Sequence, residues 1–222
     1  MNPVKTKDGS ITFFNEEFGE HYHATHGAEE EAVKKFAQPL KPYIKSEEPV
    51  ILDLCFGLGY NTAAFIDLYY NKFRRIKIIA LEKDKKILQE LLELDTGFAC
   101  FFQLKVTIQN MISGEKTEET FHFKETPITI QLIIGDAQKT IESIGMVDAV
   151  LFDPFSPKAH PGMWSKEFLT KIKRVMKPKA ALTTYSCAKT FRDTLRELDF
   201  EVVNGPIVGR RAPSTIAVKK DL

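Results

Sequence analysis

The sequence is short of the features that would set it apart from ordinary globular proteins. It holds no run near the roughly 18 consecutive apolar residues that a membrane span requires. Met1-Asn-Pro-Val-Lys5 lacks the graded charge and apolarity of a secretory leader, so no membrane association is expected. Cysteine is scarce. Cys55, Cys100 and Cys187 are odd in number, far apart and without a CxxC pair. That argues against a disulfide framework or a thiolate zinc site, and reduced thiols in a cytoplasmic protein are expected. The histidines add no metal site: His21, His23 and His26 lie near one another without HExxH or a paired carboxylate spacing. Repeats, low-complexity tracts and linkers are also missing.

What is present is a chain of 222 residues, 11% aromatic and 27% charged, enough to bury one substantial core. The net charge of +1 conceals an asymmetry. From Lys158 onward there are 14 Lys/Arg against 6 Asp/Glu, so the preceding part is acidic. Two readings stand side by side. A basic third can meet an anionic partner such as nucleic acid, or Lys171, Lys173, Arg174, Lys177 and Lys179 can form the solvated face of one helix.

Strand and helix patterns alternate, which gives an α/β sheet with helices on both faces. Residues 1–26 show no period. A helix follows from Gly27, with Ala28, Ala32, Val33, Phe36 and Ala37 at helical spacing, and ends before Pro39 or Pro42. The apolar run Val50-Ile-Leu meets Asp53, then Cys55-Phe-Gly57-Leu-Gly59, then a helix from Thr62 to Tyr70. Strand, glycine turn and helix entry form a unit whose backbone N–H groups can face a ligand, though such a turn also serves purely structural ends. A second strand, Ile76–Leu81, leads to Glu82 and the amphipathic helix Lys85–Leu94. Residues 95–127 are less regular, with an exposed turn at Ser113–Glu119. Phe121–Phe123 and Ile128–Ile134 alternate as a hairpin about Glu125-Thr-Pro127. The strand Val147–Phe152 precedes Asp153-Pro-Phe-Ser-Pro157. Ser165 caps a helix from Lys166 to Met176. Ala180–Tyr185 is a strand, Lys189–Leu198 a helix, and Val202-Val203 and Thr215–Val218 close the pattern. Residues 1–48 are expected as an N-terminal extension and helix over the site, and 49–222 as the main domain.

Three acids, Glu82, Asp136 and Asp153, each end a strand on the edge that carries the glycine turn. In doubly wound sheets that edge forms the ligand crevice. An acid ending the second strand can bond both hydroxyls of a ribose, and Gly135-Asp136-Ala137 faces the same crevice. The two prolines around Phe155 stiffen the loop after Asp153, which suits a catalytic carboxylate. Trp164, the only tryptophan, either closes over a substrate or anchors the next helix.

This order of elements resembles the class I S-adenosylmethionine-dependent methyltransferases. More narrowly it is similar to the MnmC/MnmD family of the tRNA 5-methylaminomethyl-2-thiouridine pathway. The narrower resemblance rests on Phe14-Asn15, Tyr22-His23 through Gly27-Ala28 and Glu31, and Phe56-Gly-Leu-Gly-Tyr-Asn61. It continues in Asp153-Pro-Phe-Ser-Pro, Met163-Trp164, Thr184-Tyr-Ser and Gly209-Arg210-Arg211. It implies a seven-stranded Rossmann-like sheet with a closing antiparallel pair near Val202 and Thr215. It also implies S-adenosylmethionine held by Glu31, Asp53, Cys55, Phe56, Gly57, Gly59, Asn61, Glu82, Lys83, Gly135, Asp136, Ala137 and Asp153. Cys55 departs from the glycine usual there and crowds the turn. The implied reaction methylates the amine of 5-aminomethyluridine at a tRNA wobble position, with Asp153 handling its protons. Phe155 and Trp164 would stack on the base, and Arg210, Arg211 and the basic C-terminal helices would hold phosphate. Bifunctional members add a flavin oxidase domain; here the methylation alone is expected, without flavin, by a monomer beside a separate modification enzyme. Two rivals share the pattern: an aminopropyltransferase resembling spermidine synthase, and a non-catalytic RNA-binding module.

Overall fold

A computed structural model of the chain describes residues 1–209 and 211–221. Its first 26 residues, aperiodic in sequence, form a small antiparallel sheet of β1 (Pro3–Lys5), β2 (Ile11–Asn15) and β3 (Glu20–His21). Helix α1 (Ala28–Glu31) runs on as a π-helical turn over Ala32–Ala37 and a 3-10 turn over Gln38–Leu40. There follow β4 (Val50–Leu54), α2 (Tyr60–Tyr69), β5 (Ile76–Glu82), α3 (Lys85–Leu92) and α4 (Phe101–Ser113). The chain continues through β6 (Glu118–Phe123), β7 (Thr126–Ile134), α5 (Ala137–Thr140) and β8 (Val147–Phe152). It closes with α6 (Lys166–Val175), β9 (Met176–Thr184), α7 (Lys189–Glu197), β10 (Phe200–Asn204) and β11 (Thr215–Lys219).

The main sheet has eight strands in the order β10-β11-β9-β8-β4-β5-β7-β6. The five strands from β9 through β7 pair in parallel, and the antiparallel pair β10–β11 closes one edge. The eighth strand is β6, which pairs antiparallel with β7 at the other edge. Its hairpin turns at Lys124-Glu125, with Lys124 left-handed at φ 53°.

Side chains alternate across a strand, and β4 shows the result. Ile51 joins the core under α1 to α4, whereas Leu52 and Leu54 join the core under α5 to α7. Full burial of side chains such as Phe36, Phe65 and Phe168 contributes about 1.5–3 kcal/mol each. The first core also takes in Phe13, Ala28 and Phe36, so the N-terminal segment shares the apolar layer of the sheet.

β4 lies between β5 and β8, and its neighbours are reached by crossovers in opposite directions, which opens a crevice at their C-terminal ends. Backbone bonds pin that edge. Cys55 N and Phe56 N donate to Leu81 O at 3.1 and 3.0 Å, Gly135 N to Glu82 O at 2.8 Å, and Asp153 N to Leu54 O at 3.2 Å.

Candidate active site

The glycine turn after β4 is closed by Glu82. One carboxylate oxygen accepts Gly57 N–H at 2.8 Å; the other accepts Lys83 and Asp84 N–H, both at 2.8 Å. Three of the roughly four acceptor positions of a carboxylate are thus used, and one remains for a ligand hydroxyl. Burial, opposed by these three bonds, raises the Glu82 carboxyl above its ordinary value. Gly57 and Gly59 take φ 53° and 75°, and Cys55 takes φ 71°. Cys55 therefore occupies a left-handed position that favours glycine, at a cost of order 1–2 kcal/mol. This is the physical content of the crowding read from the sequence. Gly59 needs its lack of a side chain for a second reason: a Cβ there would meet the Phe56 ring at 3.0 Å and Leu91 at 3.1 Å.

A cavity of about 740 Å³ opens over this turn. Cys55, Gly57, Glu82, Lys83, Gly135, Asp136, Ala137, Asp153 and Phe155 all line it. Asp136 also caps α5, accepting Gln138 N–H at 3.0 Å. The cavity takes further walls that the sequence did not assign: Phe14, Phe18 and Tyr22 from the N-terminal sheet, and His160 and Met163 from the loop after β8. Tyr22 donates its hydroxyl to Asp84 at 3.1 Å and accepts Asn15 Nδ2 at 2.8 Å. The cue was present, since Phe14-Asn15 and Tyr22-His23 are among the residues that carry the family resemblance.

Several expected site residues lie elsewhere. Asp53 is fully buried beneath the turn, where it accepts the Thr62 hydroxyl at 2.6 Å and ties β4 to α2. Burial pushes its carboxyl up to about 7. Phe56 lies in the apolar core at 1% exposure. Trp164 is likewise interior: its ring packs against Phe152, Tyr185 and Phe191, and its indole N–H donates to Phe155 O at 2.8 Å. Of the two sequence readings for Trp164, anchoring holds, because a ring enclosed in this way has no face for a base. Arg210 lies outside the described residues, and Arg211 is exposed on the loop before β11. The expected single basic helix face is not formed: α6 ends at Val175, and Lys177 and Lys179 stand on β9. Lys166, Lys171, Lys173, Lys177 and Lys179 each lie within 4 Å of a carboxylate, with Lys171 and Lys173 largely covered and Lys166 and Lys179 on the surface.

Asp153 sits where this cavity meets a second one of about 440 Å³ and lines both, together with Tyr22, His23 and Phe155. Asn61 donates to its Oδ2 at 2.9 Å. Burial first, and the charge of Glu31 second, raise the Asp153 carboxyl well above the ordinary range. Glu31, expected among the cofactor ligands, lines the second cavity, where Lys35 donates to it at 2.6 Å. The ring of Phe155 stacks on Phe18 with centroids 4.5 Å apart.

The switch-point crevice, the strand-end acids and the closing antiparallel pair define a class I methyltransferase fold. A family model described as S-adenosyl-L-methionine-dependent methyltransferase matches residues 101–220, and the chain belongs to that family. Its cofactor is S-adenosyl-L-methionine, and the first cavity fits that group: a glycine turn at its floor, and Glu82 and Asp136 on its wall. An uncharacterized protein of Methanocaldococcus jannaschii is 34% identical over 97% of this chain and 59% of its own. The bifunctional protein MnmC of tRNA 5-methylaminomethyl-2-thiouridine biosynthesis from Leptospira interrogans is 30% identical over 77% of this chain and 27% of its own. The crystal structure of MNMC2 from Aquifex aeolicus aligns with a TM-score of 0.78 at 28% identity, over 97% of this chain and 69% of that one. The chain thus spans about three fifths of the Methanocaldococcus relative and about a quarter of the Leptospira one.

Proposed function

We propose that the chain transfers a methyl group to the exocyclic primary amine of 5-aminomethyluridine, or of its 2-thio form, at a tRNA wobble position. The observation that carries this reading is the place of Asp153, a half-buried carboxyl on the wall between the cofactor cavity and a second chamber. The names and likeness of the relatives support the choice of substrate. When bound, S-adenosylmethionine supplies an electrophilic methyl on a cationic sulfur. In this reading Cys55, Gly57, Glu82, Lys83, Gly135, Asp136 and Ala137 hold it.

The rest falls to the chain. An amine is nucleophilic only when it has lost its extra proton. Asp153 receives that proton: burial and the neighbouring Glu31 charge raise its affinity for protons. Asn61 holds the carboxylate in place. Phe155 presents an aromatic face to an extruded base, the usual way single-stranded loops are read. Orientation across the two cavities supplies much of the remaining rate. Residues 1–48 act as the cover and 49–222 as the catalytic unit. The tRNA anticodon loop is the partner, and a separate enzyme, flavin-dependent or otherwise, performs the other steps.

The direct test is mass spectrometry of wobble nucleosides after incubating 5-aminomethyluridine tRNA with protein and S-adenosylmethionine. Asp153→Ala is expected to lower kcat by about 10²–10⁴-fold, the usual worth of a positioned acid or base, while cofactor affinity measured by calorimetry stays within a few-fold. Near-normal turnover in the variant would remove Asp153 from the role. No gain of methyl mass in the wild-type reaction would remove the substrate.

A further inference from the structure

The second cavity is walled by groups that a simple solvent pocket has no reason to bury. Glu31, Lys35 and His23 are only 6%, 4% and 7% exposed, and all three line it. Glu31 accepts Lys35 Nζ on one oxygen at 2.6 Å and Ala24 N–H on the other at 3.2 Å. A carboxylate has about four acceptor positions, so about two remain open. Asp153 lines the same chamber, and His23 Nδ1 is buried there without a hydrogen-bond partner among the described residues.

Withdrawing an ion pair from water costs several kcal/mol per ion, and apolar residues in its place usually stabilise a fold as well or better. The pair is therefore poorly explained as a structural prop. Glu31 and Lys35 balance one another, and Asp153 adds a further carboxyl, whose ionised form is favoured only when a cation enters beside it. Tyr22 and Phe155 flank the same space and leave it suited to a flat ring bearing that cation.

We propose that the second cavity is the acceptor chamber, and that Glu31, gripped by Lys35, makes it select an acceptor that carries a primary ammonium group. The identity of the acceptor rests on the amine-methylation reading above; the preference for a cation rests on the chamber itself. The ammonium is received between Glu31 and Asp153. It gives one proton to the Asp153 carboxylate, and the freed nitrogen lone pair forms the new C–N bond. The sulfur–methyl bond breaks with its electron pair left on sulfur, and the product is a secondary ammonium. Lys35 holds Glu31 in place. Glu31 is a specificity-determining residue, and the proton goes to Asp153.

The test is equilibrium binding, in the presence of S-adenosylhomocysteine, of two anticodon stem-loop RNAs that differ in one group: 5-aminomethyluridine or 5-hydroxymethyluridine. The wild-type protein is expected to favour the amine by about tenfold or more, since a charged hydrogen bond is worth roughly 1.5–3 kcal/mol. Glu31→Gln is expected to bring the ratio to within about threefold. A merely structural role would not change that ratio. Because Glu31→Gln strands the Lys35 charge, Glu31→Gln/Lys35→Met provides a second variant with no stranded charge, and the same loss of preference is expected. A wild-type protein that binds both RNAs equally, or a folded double variant that keeps the preference, overturns the proposal. The two readings separate in the same experiment. Amine preference without methyl transfer defeats the amine-methylation reading alone, whereas methyl transfer with a preference indifferent to Glu31 defeats the chamber assignment alone.

Discussion

Trp164 and Phe155 are joined by one hydrogen bond, yet they do different work. The tryptophan is enclosed by Phe152, Tyr185 and Phe191 and holds the Phe155 carbonyl from below. Phe155 is half-buried and lines both cavities. Trp164→Ala is expected to cost about 3–5 kcal/mol of stability, read by urea unfolding. Phe155→Ala is expected to cost much less stability and instead to weaken RNA binding by about 1–3 kcal/mol, the worth of one stacked base. A destabilised Phe155→Ala protein with normal RNA affinity would reverse the assignment. The sequence could not separate these two aromatics, because a proline-stiffened loop has no period to say which ring faces inward. It could place Glu82, Asp136 and Asp153, because each stands at or just past the end of a strand pattern. Asp53 ended such a pattern too, but one position early: the strand continues through Leu54, and the alternation carries Asp53 under the turn.

Among the elements, the N-terminal sheet is the one the sequence concealed. Its strands are two to five residues long and carry polar and aromatic residues on both faces, so neither a period of two nor one of 3.6 emerges. Helix α4 was hidden differently. Phe101, Leu104, Thr107, Ile108 and Met111 form its buried face, but Val106, Thr107 and Ile108 are β-branched and blur a helical reading. Longer, strongly patterned elements such as α3, α6 and α7 were legible to within two residues. The N-terminal sheet forms a strap along one wall of the crevice, which Phe14 and Tyr22 line. Glu20 accepts Ser156 N–H at 2.8 Å and also binds the Ser156 hydroxyl, which ties β3 to the loop after β8. Tyr22 ties the same sheet to Asp84 at the start of α3. Glu20→Ala removes the first tether. With charged hydrogen bonds worth about 1.5–3 kcal/mol each before relaxation, S-adenosylmethionine is expected to dissociate roughly 3–10-fold faster in stopped-flow displacement. An unchanged dissociation rate would show that the strap does not hold the cofactor in.

At the scale of the whole molecule, part of the basic surplus of the C-terminal third is paired with carboxylates of the fold. Lys177 shows how. Its ammonium binds both oxygens of Asp148, at 2.9 and 2.8 Å, and the same carboxylate accepts Val50 N–H at 2.8 Å, so the cation secures the entry of the central strand. Composition alone counts such a lysine and an open one alike, which is why charge asymmetry could not tell a paired lysine on β9 from a free one. Arg211 differs: it is exposed on the loop between β10 and β11, which also carries Gly209 on the wall of the second cavity. The two cations should therefore respond oppositely. Lys177→Ala leaves the mostly buried Asp148 without its counterion and is expected to cost about 1–3 kcal/mol in stability, with RNA affinity unchanged. Arg211→Ala is expected to leave stability within about 0.5 kcal/mol and to weaken anticodon stem-loop binding. It should also reduce the slope of log K against log salt by about 0.7, one phosphate contact on single-stranded RNA. Thermal unfolding and binding measured at several salt concentrations check both. If Lys177→Ala alone lowered the salt slope, the phosphate surface would lie around β9, and the cavity-side loop would not be where RNA approaches.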